Sequence, residues 1–275
     1  MSGAFSARHG LATLGPELVE VRALLDGHVL GWAAECGAAS MLFPPLISTA
    51  DLAEFDYFEN FPHLVLMTSA LRAHTAGDPV KQGATVPAER LADSGWGLAS
   101  AACYNVYLHH RGTRLDGPRY VTTVAQCFRN ETEYDGLRRL RGFTMREIVC
   151  VGPREAVQEH VAAFKPKVLG FARSLGLGPD IQPAGDPFFA PDGGRALLQR
   201  LFPVKEEFVH DGSLAIASVN FHRNFFGERC GITLPDGGSA YSGCVAFGLE
   251  RWIAALLETH GSAGAALAVV REQTA

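Results

Sequence analysis

The stretch CFRNETEYDGLRRLRGFTMREIVCVG, residues 127–152, sets Arg129, Arg138, Arg139 and Arg141 beside Glu131, Glu133 and Asp135 between two strand-like runs. An ordinary hairpin turns in two to five residues, whereas about ten here carry charge or polarity. An arginine that follows a strand of buried type must find an anion, because a buried, unpaired guanidinium is costly. The anion could be a carboxylate of the chain, such as Glu131, or a phosphate from outside, which a guanidinium grips with two parallel hydrogen bonds. Arg251, in GCVAFGLERW, holds a comparable place where a strand-like run turns helical, and Gly243 and Gly248 there would permit close backbone approach. Two arginines at strand ends with Phe143 between them would suit a nucleotide, phosphates on the arginines and base on the ring. The competing reading makes Arg129–Glu131 and Glu250–Arg251 structural ion pairs and Phe143 a core residue.

The elements that must position these residues can be read from periodicity and punctuation. RYVTTVAQCF (119–128) is β-branched and aromatic, and GFTMREIVCV (142–151) is its expected antiparallel partner. Residues 17–40 have helical spacing and an acidic start, and Pro44 and Pro45 forbid continuation beyond them. Residues 73–95 are polar with Gly and Pro, the composition of a mobile loop or lid. A helix is expected from Pro153 to about Leu175, kinked at Pro166. Residues 208–222 read as a hairpin turned at Asp211-Gly212, and the last apolar run passes from strand to helix near Gly248. Strands gather in the second half with helices around them, so the expected class is α+β with a mainly antiparallel sheet, in a single domain over 1–275.

Composition narrows the function. The net charge is −5 against 24 Lys and Arg, which argues against an extended nucleic-acid footprint. No run of about 18 apolar residues is present, so no membrane span is expected, and MSGAFSARHG lacks the apolar core of a signal peptide. Six cysteines lie apart with no CxxC pair, which fits a reducing cytoplasm rather than a disulfide scaffold.

FRNE followed by RRLRGFTMRE resembles motif 2 of the class II aminoacyl-tRNA synthetases, at about 119–151. GCVAFGLERW resembles motif 3, at about 240–258, and the helix ending in MLFPP resembles motif 1, the dimer helix, at about 17–48. More narrowly, ACYNVY, CFRNE, FTMRE, DPFF, NFH…FFG and FGLER, in that order, are similar to the amino acid:[carrier protein] ligases, truncated relatives of the zinc-dependent archaeal seryl-tRNA synthetases. The resemblance implies ATP-dependent activation of a small amino acid and its transfer to the phosphopantetheine thiol of a carrier protein. Arg129 would then grip the α-phosphate of ATP and Arg251 the γ-phosphate, Phe143 would stack on adenine, and Glu131 would contact the nucleotide or the substrate amine. Glu207 matches the carboxylate that binds Mg²⁺, with Glu206 a near competitor, and Asn220 and His222 fall where the amino-acid pocket is lined. Cys103, Glu147 and Cys244 match the zinc ligands, each expected on a strand or strand edge; two thiolates and a carboxylate leave a fourth position open for the amine. Cys127 and Cys150 match no ligand position. The resemblance also implies a homodimer, with Leu18, Val21, Leu24, Leu25 and Leu30 buried against the twin helix, and no tRNA partner, because no tRNA-binding appendage matches. The segment between Gly152 and Glu207 is short for a carrier-protein ligase. Two other readings share these residues: a retired paralogue that binds an amino acid as a regulator, and aminoacylation of another non-tRNA acceptor.

Overall fold

The chain enters through a small hairpin, β1 (Phe5–Arg8) and β2 (Leu11–Leu14), and runs into the helix α1 (Pro16–Glu35). The computed structural model describes residues 3–72, 85–190, 192–194, 197, 199 and 204–274. After α1 come β3 (Ala39–Ser40), β4 (Leu46–Ser48), the short helices α2 (Thr49–Glu54) and α3 (Tyr57–Asn60), β5 (Leu66–Leu71) and β6 (Leu91–Leu98). The helix α4 (Tyr104–His109) precedes the long pair β7 (Arg119–Phe128) and β8 (Gly142–Gly152), and α5 (Arg154–Ser174) follows them. The chain closes with β9 (Asp180–Ala184), β10 (Lys205–His210), β11 (Leu214–Arg223), α6 (Phe225–Arg229), β12 (Tyr241–Gly248), α7 (Leu249–His260) and α8 (Ala263–Thr274).

Seven of these strands form one sheet in the order β3-β7-β8-β12-β11-β10-β9, antiparallel at every pairing except β3 with β7. This is the α+β class expected from the sequence. One face carries Ile148, Val219, Val245, Phe247 and Phe208, packed on Leu18, Val21 and Leu25 of α1, Phe164 and Val168 of α5, and Trp252 and Ile253 of α7. The other face carries Val121, Val149, Val151 and Cys244 beneath Tyr107, Phe226, Ile47 and Leu52. Buried on the first face, the Arg146 guanidinium donates to both carboxylate oxygens of Asp26 on α1, at 2.7 and 2.8 Å. This pairing fixes α1 against β8, and removing either partner would strand a desolvated charge.

Several boundaries match the sequence reading. The strands 119–128 and 142–152 pair in register, Asp211 and Gly212 both have positive φ at the β10–β11 turn, and β12 hands over to α7 at Gly248. Others are corrected. The first helix stops at Glu35, not 40, because Gly37 takes φ +70 and the backbone turns into β3. Its apolar stripe is buried within the chain's own core, with Leu18, Val21 and Leu25 at most 2% exposed, so those residues are not available to a twin; Val19 and Leu30 face outward. Residues 85–95 are not a lid: Ala88–Arg90 is a 3-10 turn, and Leu91 opens β6, the centre of a three-stranded sheet ordered β4-β6-β5. The rest of that expected lid, 73–84, lies outside the described residues. The second-half-only clustering of strands also missed this sheet and the β1–β2 hairpin. The helix expected from Pro153 is present as α5, with Pro166 inside it.

The close approach at Gly243 comes from the fold and not from a ligand. A Cβ there would lie 2.8 Å from the Asn220 carbonyl oxygen and 2.8 Å from Val157 Cγ1 of α5, whereas one at Gly248 would meet Arg251 at an ordinary 3.7 Å. Because backbone cannot yield cheaply, Gly243→Ala should cost roughly 1–3 kcal/mol and lower the thermal unfolding midpoint by several degrees, read by calorimetry. Gly248→Ala should be far milder.

Candidate active site

Registered partners in a sheet share a face, and successive residues alternate between faces. Thr123, Glu147, Ala246, Ser218 and Glu207 therefore make one transverse row across β7, β8, β12, β11 and β10. Val121, Val149, Cys244, Asn220 and Lys205 make the next. Both rows lie on the face away from α1 and α5. Glu206 alternates to the other face and pairs with Lys165 of α5. Glu207, with its oxygen 3.0 Å from Lys205 Nζ, faces the pocket.

One end of this face is an anion pocket. Arg129 donates to the Ser100 carbonyl at 3.2 and 3.3 Å and lies 5.0 Å over the Phe143 ring. Arg251 donates to the carbonyls of Arg138 and Ala215 at 3.0 and 3.1 Å. Neither makes an ion pair with a carboxylate among the described residues. The two ion pairs of the competing reading do not form: Glu131 pairs with Arg139 at 3.5 Å, and Glu250 accepts from the Thr144 amide and hydroxyl at 2.7 and 2.8 Å. Burial first, then the like charge of Arg129, hold the Arg251 guanidinium below its ordinary pKa. The Glu207 and Glu131 charges offset this in part without ion-pairing with Arg251, and an added anion relieves two such neighbouring cations further. Glu131, Phe143 and Glu207 line the same pocket; Glu131 does not reach the neighbouring cavity.

That second cavity, about 540 Å³, is within the usual range of small-molecule sites. At its base Cys103, Glu147 and Cys244 are all buried, with their ligand atoms within 4.8 Å of one another. Glu147 and Cys244 come from adjacent strands. Cys103, expected on a strand or strand edge, instead occupies the residue just before the first turn of α4. One Glu147 oxygen accepts the Ala102 amide at 2.8 Å, while Oε2 is buried without a hydrogen-bond partner. The hydrogen bond with Cys103 first, then burial and the Glu147 charge, hold the Cys244 thiol well above its ordinary range. Three converging acidic donors and an orphaned carboxylate oxygen are unfavourable alone and fit a divalent cation, which reverses the sign of each term. Cys127 and Cys150 are buried and belong to no such cluster.

Asn220 and His222 both line this cavity. Asn220 Nδ2 donates toward Cys244 Sγ at 3.4 Å. His222 is pushed down to about 4 by burial first, so its ring is neutral at ordinary pH. Its Nδ1 is 3.1 Å from the Tyr107 hydroxyl, and its Nε2 is 3.9 Å from Cys244 Sγ. Burial, then the Cys103 charge, raise Tyr107 well above its ordinary value, so the hydroxyl stays protonated. The tautomer of the ring sets which partner donates in each of these contacts. Tyr107 was missed as a functional residue, although ACYNVY was the signal that contained it. Lys205 was missed too, for it reads as one charge beside two glutamates.

No family model matches the sequence. Amino acid–[acyl-carrier-protein] ligase 1 of Bradyrhizobium diazoefficiens is 33% identical over 248 residues, covering 83% of this chain and 73% of that protein. The structure of Methanopyrus kandleri seryl-tRNA synthetase in complex with A. aeolicus tRNASec superposes with a TM-score of 0.80 at 20% identity, over 98% of this chain and 58% of that one. Seryl-tRNA synthetase of Pyrococcus horikoshii complexed with ATP gives 0.70 at 17% identity, over 97% and 57%. The chain thus spans a little over half of these solved structures, and the fold is that of a class II synthetase catalytic domain.

The anion pocket makes a binding prediction that does not depend on catalysis. Arg251→Met should weaken binding of inorganic tripolyphosphate roughly tenfold to a hundredfold, the worth of lost charge-assisted hydrogen bonds. Calorimetric titration reads it, and an unchanged affinity would remove Arg251 from the pocket's function.

Proposed function

The chain belongs to the amino acid–[acyl-carrier-protein] ligase family, and on that premise we propose that it joins a small amino acid to ATP as an aminoacyl-adenylate and passes the aminoacyl group to the phosphopantetheine thiol of a carrier protein. The observation that carries this reading is the pairing, on one sheet face, of two guanidiniums lacking carboxylate partners with the buried Cys103–Glu147–Cys244 cluster.

Cys103, Glu147 and Cys244 would hold zinc and Glu207 magnesium; when bound, the zinc supplies a Lewis-acid seat for a deprotonated α-amine and the magnesium supplies charge to the triphosphate. Arg129 takes the α-phosphate and Arg251 the γ-phosphate, with Phe143 against the adenine and Glu131 on the nucleotide. Asn220 orients the amine end of the amino acid. Neutral His222 lines the cavity beside Cys244 without adding charge beside the amine. The substrate carboxylate is its own nucleophile: its oxygen bonds to the α-phosphorus as the bond to pyrophosphate breaks. No proton moves, so no general base is required, and the work is charge stabilisation by the arginines. In the second step the carrier thiol gives up its proton to solvent, its sulfur bonds to the acyl carbon, and the carbon–oxygen bond to AMP breaks, so AMP leaves with the electron pair.

Amino-acid-dependent ATP–pyrophosphate exchange tests the reading. Arg129→Ala and Arg251→Ala should each lower exchange about a hundredfold or more while circular dichroism stays parental. Absence of exchange with all twenty amino acids would remove the activation reading.

The purified protein should carry about one zinc per chain by elemental analysis, as the three ligands imply. Cys244→Ala should lose that zinc and the exchange reaction together, with ATP affinity little changed. Hydroxy acids and N-acylated amino acids should not support exchange. A zinc-free protein, active and indifferent to chelators, would sink the metal site.

A further inference from the structure

The anion pocket and the metal cavity meet over a shared floor. Arg129, Met145, Ala246, Ser218 and Lys205 line both. Met145, Ala246 and Ser218 come from the neighbouring strands β8, β12 and β11 and are uncharged. A cation stands on either side of them: Arg129 past the end of β7, and Lys205 on β10.

We propose that Lys205 is a catalytic residue of the adenylation step, binding the carboxylate of the amino acid. The proposal rests on the activation reading and adds to it the group that meets the reacting carboxylate. If the amine sits at Cys103, Glu147 and Cys244, and the phosphates at Arg129 and Arg251, the carboxylate must lie over the floor between them. Two anions, carboxylate and α-phosphate, are brought to bonding distance there, and their repulsion is large in a water-poor site. A cation on the carboxylate side offsets it. Arg129 is committed to the phosphate side, anchored on the Ser100 carbonyl and the Phe143 ring.

Lys205 is suited to the other role. It stands in the row of Cys244 and Asn220, in register with Asn220. Its side chain is only 17% exposed, and its ammonium lies 3.0 Å from Glu207 and 3.5 Å from Asp186. A compact ammonium has three rotatable donors, so it can keep Glu207 while donating to a carboxylate oxygen. In the step itself the carboxylate oxygen–phosphorus bond forms, the phosphorus–oxygen bond to pyrophosphate breaks, and Lys205 remains protonated throughout.

Lys205→Met and Lys205→Arg test this. In exchange assays Lys205→Met should lower kcat/KM for the amino acid about a hundredfold, with the KM for ATP and the zinc content near parental. The decisive comparison is binding of L-alanine against L-alaninol, which keeps the amine and side chain but lacks the carboxylate. If another of the twenty amino acids supports faster exchange, it and its amino alcohol form the pair. The parental protein should prefer the carboxylate, Lys205→Met should erase the preference, and Lys205→Arg should restore part of it. A Lys205→Met protein that keeps the parental preference overturns the proposal and leaves the activation reading standing. Loss of zinc or of ATP binding in the same variant would make Lys205 structural only and overturns it as well. No exchange by the parental protein with any amino acid removes the activation reading and this proposal together.

Discussion

The register between β8 and β12 is the constraint on which everything else depends. A slip of one residue would turn Glu147 into the helix-packed core and bring Arg146 onto the active face. Two unlike devices hold the register. On one face Arg146 is pinned by Asp26 of α1 at 2.7 and 2.8 Å; on the other Glu147 is pinned by the Ala102 amide at 2.8 Å. Adjacent residues of one strand thus serve opposite faces of the sheet. The first carries a positive charge satisfied within the fold, and the second a negative one left half-satisfied.

That contrast recurs across the site. Where charge serves the fold it is paired: Arg138 with Glu258, Glu206 with Lys165, Arg146 with Asp26. In the two pockets, Arg129 and Arg251 donate to carbonyls and make no carboxylate ion pair among the described residues, and one Glu147 oxygen has no hydrogen-bond partner there. Such groups are expensive to keep, and the surrounding carbonyls and amides reduce that cost without cancelling the charge. The distinction between structural and functional arginines therefore lies in the acceptor each finds, which residue type alone does not reveal.

The sequence made the strands legible because their alternation and β-branched content survive in any context; Arg119–Phe128 and Gly142–Gly152 stand within a residue of expectation. Periodicity was less informative about α1. It marks a face as buried without saying against what, and so Leu18, Val21 and Leu25 were given to a second copy when α7 and α8 already cover them. The choice between Glu206 and Glu207 needed the phase of β10 against β11, which two consecutive identical residues conceal. The Cys103–Glu147–Cys244 cluster was reached through resemblance alone, since its members are scattered along the chain and one of them sits at a helix start. Lys205 was invisible for a related reason: a lysine beside two glutamates has the pattern of a solvated strand edge, and only the floor it shares marks it out.

That shared floor has a thermodynamic consequence. Ligands in the two pockets touch the same five side chains, so the settling of Arg129 or Lys205 by one changes the free energy available to the other. The coupling is reciprocal by necessity: whatever factor a bound nucleotide lends to amino-acid affinity, a bound amino acid returns to nucleotide affinity. One coupling energy, readable from either ligand, therefore describes both pockets.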